Sequence, residues 1–250
     1  MVTHFIFMSS SYSKGTRIAL DFIVDDKEIQ GKLKKDLDEI VQKCGKDVSI
    51  STHMIQAKDE TWESVCESDH FFKDVKVVKR LDEFIKLIQK DRKLEGIDVA
   101  KYILSKVKCT QLKLQKLVYL CFADYLCETD KELFTDKIYA FQYGPVVETV
   151  YDKYKKYGYK PIEEEKEDIK SEGIYEMASK SRIMFAEDGT EKIISIDQTL
   201  KKYGEFSASR LIEITHRKDT PWSKTFRSRW LPYTQIKIET IKEYHKNEQV

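Results

Sequence analysis

Cys66 and His70 are the nearest approach in this sequence to a nucleophile beside a base. They are also the nearest approach to a metal site. A four-residue offset puts both on one helix face, which suits plain packing better than nucleophilic catalysis. A structural zinc needs four ligands, so the expectation is no metal and no cofactor. His4 and His53 stand alone on strand-like runs and read as ordinary core or surface residues. The serine-rich "SSSYSKGT" does not qualify as a phosphate loop, because such a loop opens a helix and here a strand pattern follows. No motif announces a reaction, and the expectation is a protein that is not an enzyme.

The remaining chemistry is that of recognition. Residues 139–158 read "YAFQYGPVVETVYDKYKKYG". Gly144 permits a backbone turn that other residues resist, and Pro145 fits the first turn of a helix. Val147, Val150, Tyr151 and Tyr154 follow at i, i+3, i+4 and i+7, and Gly158 stands where a left-handed stop belongs. The stretch predicts a turn, a proline-started helix and a glycine stop. Tyr119, Tyr143, Gly144, Pro145, Tyr151, Tyr154, His216 and Trp222 are the candidate site residues. They admit two readings. In one, Gly144 and Pro145 make a turn while the aromatics fill the core with their polar ends hydrogen-bonded. In the other, several line a groove for a partner segment, since Tyr and Trp bring large contact area at low entropic cost. Lys153, Lys155 and Lys156 lie on the same helix and suit an acidic partner.

The elements that must position these residues fall into two parts. Residues 1–95 alternate strands and helices. "VTHFIFM" and "RIALDFIV" form neighbouring strands, "VSISTHMI" alternates with Val48, Ile50 and Met54 on one side, and "VKVV" is a short fourth strand. Leu33, Leu37, Ile40, Val41 and Cys44 mark one helical face, closed by Gly45, and Leu81, Phe84, Ile85 and Ile88 mark another. The order predicts a small sheet with helices on one side. Residues 96–250 read as mainly helical with a minor β element, so the fold class is α+β. Asp98 and Thr110 are helix caps in this reading. "QLKLQKLVYLCFADYLC" is apolar nearly all round, the mark of a helix buried on several sides. "SRIMFAED" and "KIISI" predict a hairpin around Asp-Gly. Asp197 and Ser207 are further cap candidates, and Pro221 breaks the helical pattern.

Composition sets the limits. The chain has 250 residues, 41% hydrophobic and 35% charged, with net charge +1, which fits a soluble globular protein. No apolar run approaches the ~20 residues of a membrane span, and the start lacks a signal-peptide pattern. The five cysteines include no C-x-x-C pair and read as reduced core thiols, which fits the cytoplasm. Residues 201–250 carry 11 Lys/Arg against 6 Asp/Glu. With Arg210, Arg217, Arg227 and Arg229, and two short helices around "YGEFSASRLIEITHRK", they support an alternative reading as a nucleic-acid-binding regulator. The near-neutral whole chain counts against it.

In order along the chain, "LKLQKLVYL", "AFQYGPVVETVY" and "LIEITHRKDTPW" resemble the marks of the Panacea domain, the SocA-like antitoxin domain. The resemblance covers residues 97 to ~235. Its members usually carry A-W/F-x-x-G-P-V at the turn, matched here by Ala140, Phe141, Gly144, Pro145 and Val146. The late T-H and P-W marks are matched by Thr215, His216, Pro221 and Trp222. The resemblance implies an antitoxin that binds and neutralises a protein toxin, often encoded next to it, in a toxin–antitoxin or phage and mobile-element setting. It also implies that a protease is a second partner where the domain acts as an adaptor. No catalytic residues carry over. Residues 1–96 resemble no family and read as an accessory domain.

Overall fold

The computed structural model describes residues 1–24, 29–163, 172–228 and 233–250, the side chains of 30, 172 and 173 excepted. They form two compact units, Met1–Lys93 and Leu94–Val250, and the architecture is α+β.

The first unit is a four-stranded sheet in the order β3-β1-β2-β4. β1 (Val2–Ser11) and β2 (Thr16–Ile23) are antiparallel, joined by a turn in which Gly15 takes φ +64°. β3 (Ser51–Ala57) pairs with the far side of β1, and β4 (Val75–Val78) runs parallel to β2. Alternation along the strands splits the apolar residues between two faces. Phe7, Ile18 and Leu20 pack under α1 (Ile29–Cys44) and α3 (Leu81–Arg92), through Leu33, Ile40, Phe84, Ile85 and Ile88. Gly45 stops α1 at φ +96°, as its position predicts. Ile6, Met8 and Ala19 face the other way, under Val65 of α2 (Trp62–Ser68) and Phe72 of the following 3-10 turn. The two long helices thus share one face, while a short helix covers the second.

His4 is buried, its ring nitrogens 2.8 Å from Asp21 Oδ2 and 3.0 Å from the Asp59 carbonyl. The Cys66 thiol donates to the Phe72 carbonyl, and burial pushes its pKa up.

The second unit is built around α5 (Gln111–Thr129), capped by Thr110, whose hydroxyl accepts from the Lys113 N–H. Every residue from Leu114 to Leu126 is buried. An all-round apolar pattern requires this, because each flank of such a helix must meet protein. Around it lie α4 (Gly96–Lys106), α6 (Glu148–Tyr154), α7 (Glu172–Met184), α8 (Gly189–Tyr203), α9 (Ala208–Thr215), α10 (Pro221–Thr225) and α11 (Ile238–Tyr244). A small sheet in the order β6-β5-β7 comprises β5 (Ile138–Phe141), β6 (Gly144–Val147) and β7 (Thr234–Gln235).

Four local expectations are corrected here. Pro145 lies in β6 opposite Ala140, and the helix begins only at Glu148. β6 is an edge strand, where a residue without an N–H is tolerated. The predicted hairpin at residues 181–196 is instead the end of α7 and the start of α8. Asp188 adopts φ +54°, and Gly189 packs so tightly that a Cβ would stand 2.4 Å from the Ile183 carbonyl oxygen. A helix–helix corner therefore replaces the Asp-Gly strand turn. Asp197 is inside α8, accepting from the Tyr102 hydroxyl at 2.9 Å. Asp98 stands at the third position of α4, and its carboxylate accepts from the Glu95 N–H in a reciprocal cap. Ser207 caps α9, as its position predicts.

Candidate functional site: a hairpin held from below

β5 and β6 form a hairpin with Gln142 and Tyr143 at its tip, since Phe141 pairs with Gly144. α5 grips its underside through two polar residues that are completely buried, Gln115 and Lys116. The Gln115 amide reads both polar groups of Val147. Its oxygen accepts from the Val147 N–H at 2.9 Å and its nitrogen donates to the Val147 carbonyl at 3.4 Å. This holds Val147 extended and delays the helix to Glu148. One residue on, the Lys116 amine donates to the Pro145 carbonyl at 2.9 Å. Burial pushes its pKa down to about 7, because a charge without water is unfavourable.

The amine explains the glycine. A Cβ on Gly144 would stand 2.8 Å from Lys116 Cε and Nζ and 3.1 Å from Thr215 Oγ1, at φ +102°. Both the space and the dihedral exclude any other residue without rearrangement.

The segment from Thr215 to Trp222 supplies the second grip. His216 lies half-buried, with Nδ1 2.7 Å from the Ile212 carbonyl and Nε2 3.4 Å from that of Gln142. The shorter contact assigns the proton to Nδ1, and burial holds the ring's pKa below its ordinary value. Thr220 caps α10 and Pro221 starts it, which aims Trp222 back at the hairpin. Its indole N–H donates to the Phe141 carbonyl at 2.7 Å. Backbone groups of residues 141, 145 and 147 are thus met by side chains of α5 and of the 216–222 segment.

The outer side of the hairpin is aromatic. Phe141 stacks on Tyr233 at 3.5 Å and meets Tyr151 edge-on at 5.5 Å. Trp222 lies between His216 and Phe226, at 3.6 and 4.8 Å. Tyr143 is 58% exposed and Tyr233 is 51% exposed.

Six of the eight candidate residues therefore come together, in different roles. Tyr143 stands at the exposed tip and Tyr151 beside Phe141. Gly144 and Pro145 are buried in the strand, and His216 and Trp222 hold it from behind. Tyr119 and Tyr154 do not join them, because both are buried to 0–1% exposure in the core. Tyr119 instead donates to Glu248 Oε2 at 2.8 Å. The pattern that made its helix apolar all round already required this. Sequence reasoning missed Gln115, Lys116, Phe141 and Tyr233 as contributors. The available signal was a pair of polar residues inside a wholly buried helix, since buried polar groups need partners.

A second polar assembly lies elsewhere on α5. The short 3-10 turn His245–Glu248 forms a strap. His245 is 2.7 Å from both Asp124 Oδ1 and Glu248 Oε2. Gln249 donates to Asp124 at 3.0 Å, as does Thr199 at 2.8 Å. Burial opposes a charged imidazole, yet the two carboxylates win and push His245 up to about 9. Asp124 is held below its usual range by the hydrogen bonds it accepts, although burial works against this. Among the described residues, no three His, Cys, Asp or Glu side chains are placed to hold a metal ion. No described helix is long and apolar enough to cross a membrane.

Residues 114–223 match the family model described as Antitoxin SocA-like, Panacea domain. The chain is similar to Antitoxin SocA of Caulobacter vibrioides (strain NA1000 / CB15N), 29% identical over 143 residues. That match covers 54% of this chain and 72% of that protein. No solved structure matches it.

Proposed function

We propose that this protein is an antitoxin that binds a cognate protein toxin, and that the hairpin tip with its aromatic flank is the contact surface. The observation that carries the reading is the convergence of three separated motifs on one hairpin. Side chains fix its backbone from below, while Tyr143, Tyr151, Phe141 and Tyr233 stay on the outer side. Pre-fixed aromatic anchors lose little entropy on binding. The Panacea match and the likeness to Antitoxin SocA support a toxin as the partner. The toxin is a protein from an adjacent gene, met in the cytoplasm, and neutralisation proceeds by contact rather than catalysis. Adaptor delivery to a protease is an additional route of neutralisation.

The nucleic-acid reading has less support. Arg210 is paired with Glu213 at 2.7 Å, Lys224 with Asp219 at 2.7 Å, and Arg217 donates to the Gln249 carbonyl. Arg227 is exposed, and Arg229 lies outside the described residues.

Expression of the adjacent open reading frame alone and together with this chain tests the proposal. Growth arrest relieved by co-expression is the expected result, and absence of arrest or of relief refutes it. DNA retention that weakens steeply with salt would favour the alternative instead.

A further inference from the structure

The two edges of the first unit's sheet are treated differently. β4 is four residues long, with exposed Lys76 in its middle and Asp74 and Lys79 beside it. Short length and charge are the usual ways an edge strand is guarded against pairing. β3, at the other edge, has seven residues, "STHMIQA", with no Asp, Glu, Lys or Arg, no proline and no glycine. It bonds to β1 on one side. On its other side its backbone makes no hydrogen bond among the described residues. An apolar side chain also stands uncovered beside this edge. Met54 is 66% exposed on the face of Phe5, its partner on β1. On the opposite face Phe71 is capped by the Arg17 guanidinium, 4.1 Å over its ring.

We propose that β3 pairs with β3 of a second copy of this chain, antiparallel about a two-fold axis at Met54, making one continuous eight-stranded sheet. An isologous contact needs a surface complementary to itself, and this strand meets the requirement. The register places Met54 against Met54, Thr52 against Gln56 and His53 against Ile55, and ends short of Ala57, which is buried. No like charges oppose one another, and the two exposed methionines cover each other. A partner strand also satisfies the free backbone groups, as in β-strand addition. The surface belongs to the first unit and is independent of the antitoxin reading.

Sedimentation velocity on the full chain, over about a hundredfold range of concentration, tests this. A concentration-dependent dimer is expected. Met54→Lys, which opposes two cations across the axis, should weaken it at least about tenfold with an unchanged circular dichroism spectrum. Met54→Cys, in a Cys127→Ser background because Cys127 is exposed, should give a covalent dimer under mild oxidation. Directly opposed residues stand only about 4.5–5.5 Å apart at Cβ. A wild-type chain that stays monomeric overturns the proposal. So does a dimer indifferent to Met54→Lys, or a dimer that Met54→Cys fails to cross-link.

Discussion

α5 holds two segments by opposite means. Near its start, Gln115 and Lys116 hold the hairpin by backbone atoms, Val147 and Pro145. Further along, Tyr119 and Asp124 hold the 245–249 strap by side chains, through Glu248, His245 and Gln249. A backbone-reading grip leaves the residues it holds free to vary, except where space forbids a side chain. Gly144 is such a place. A side chain network fixes every member, because removing one leaves another buried and unpaired. The hairpin is therefore a fixed frame with an exposed tip, and the strap is a structural clasp.

The largest effect should come from breaking the clasp. His245→Ala leaves Asp124 and Glu248 buried together, and a loss of about 3–5 kcal/mol in chemical denaturation is expected. A smaller loss would place the stability elsewhere. Gly144→Ala should follow, with about 2–4 kcal/mol lost through the clash with Lys116 and the positive φ. Gly144→Ala as stable as wild type would show that the amine moves freely and does not frame the hairpin.

The two grips also differ in their response to pH. His245 is near 9 in the fold, above its ordinary 6.5. The clasp's contribution is thus complete below about pH 6.5 and is lost as pH rises through 9. Lys116 is near 7, below its ordinary 10.5. Its burial penalty is thus complete below pH 7 and is relieved as pH rises toward 10.5. In the wild type the two slopes oppose each other between pH 7 and 9. Lys116→Met should leave stability falling with pH across that window, and His245→Gln should leave it rising. Melting temperature against pH reads both, and slopes of the same sign in the two variants would contradict the assignment. A smaller change is expected from Trp222→Phe, which removes the bond to the Phe141 carbonyl and should cost about 1 kcal/mol.

The same contrast explains what the sequence made legible. The buried central helix followed from Leu114, Leu117, Val118 and Cys121 with Leu120 and Leu126 on the remaining flank. The hairpin was marked by the ordered motifs "LKLQKLVYL", "AFQYGPVVETVY" and "LIEITHRKDTPW", which contain Gln115 and Lys116, Gly144, and His216 and Trp222. Its strand character was hidden, because Gly-Pro before an apolar helical pattern fits a helix start equally well. Gln115, 32 residues away, and the pairing with Ile138 keep Val147 extended. The α7–α8 corner was hidden for a similar reason, since Asp-Gly serves either a strand turn or a helix junction and packing on Ile183 decides. Nothing local marked the clasp, whose partners Asp124 and His245 are 121 residues apart.

The central claim is that Tyr143 is held ready for a partner by a frame that does not depend on it. The direct measurement is rescue from the adjacent gene's toxicity by Tyr143→Ala, beside its melting temperature. Stability within about 0.5 kcal/mol of wild type is expected for so exposed a side chain, together with loss of rescue. A Tyr143→Ala variant that rescues as fully as wild type would contradict the account.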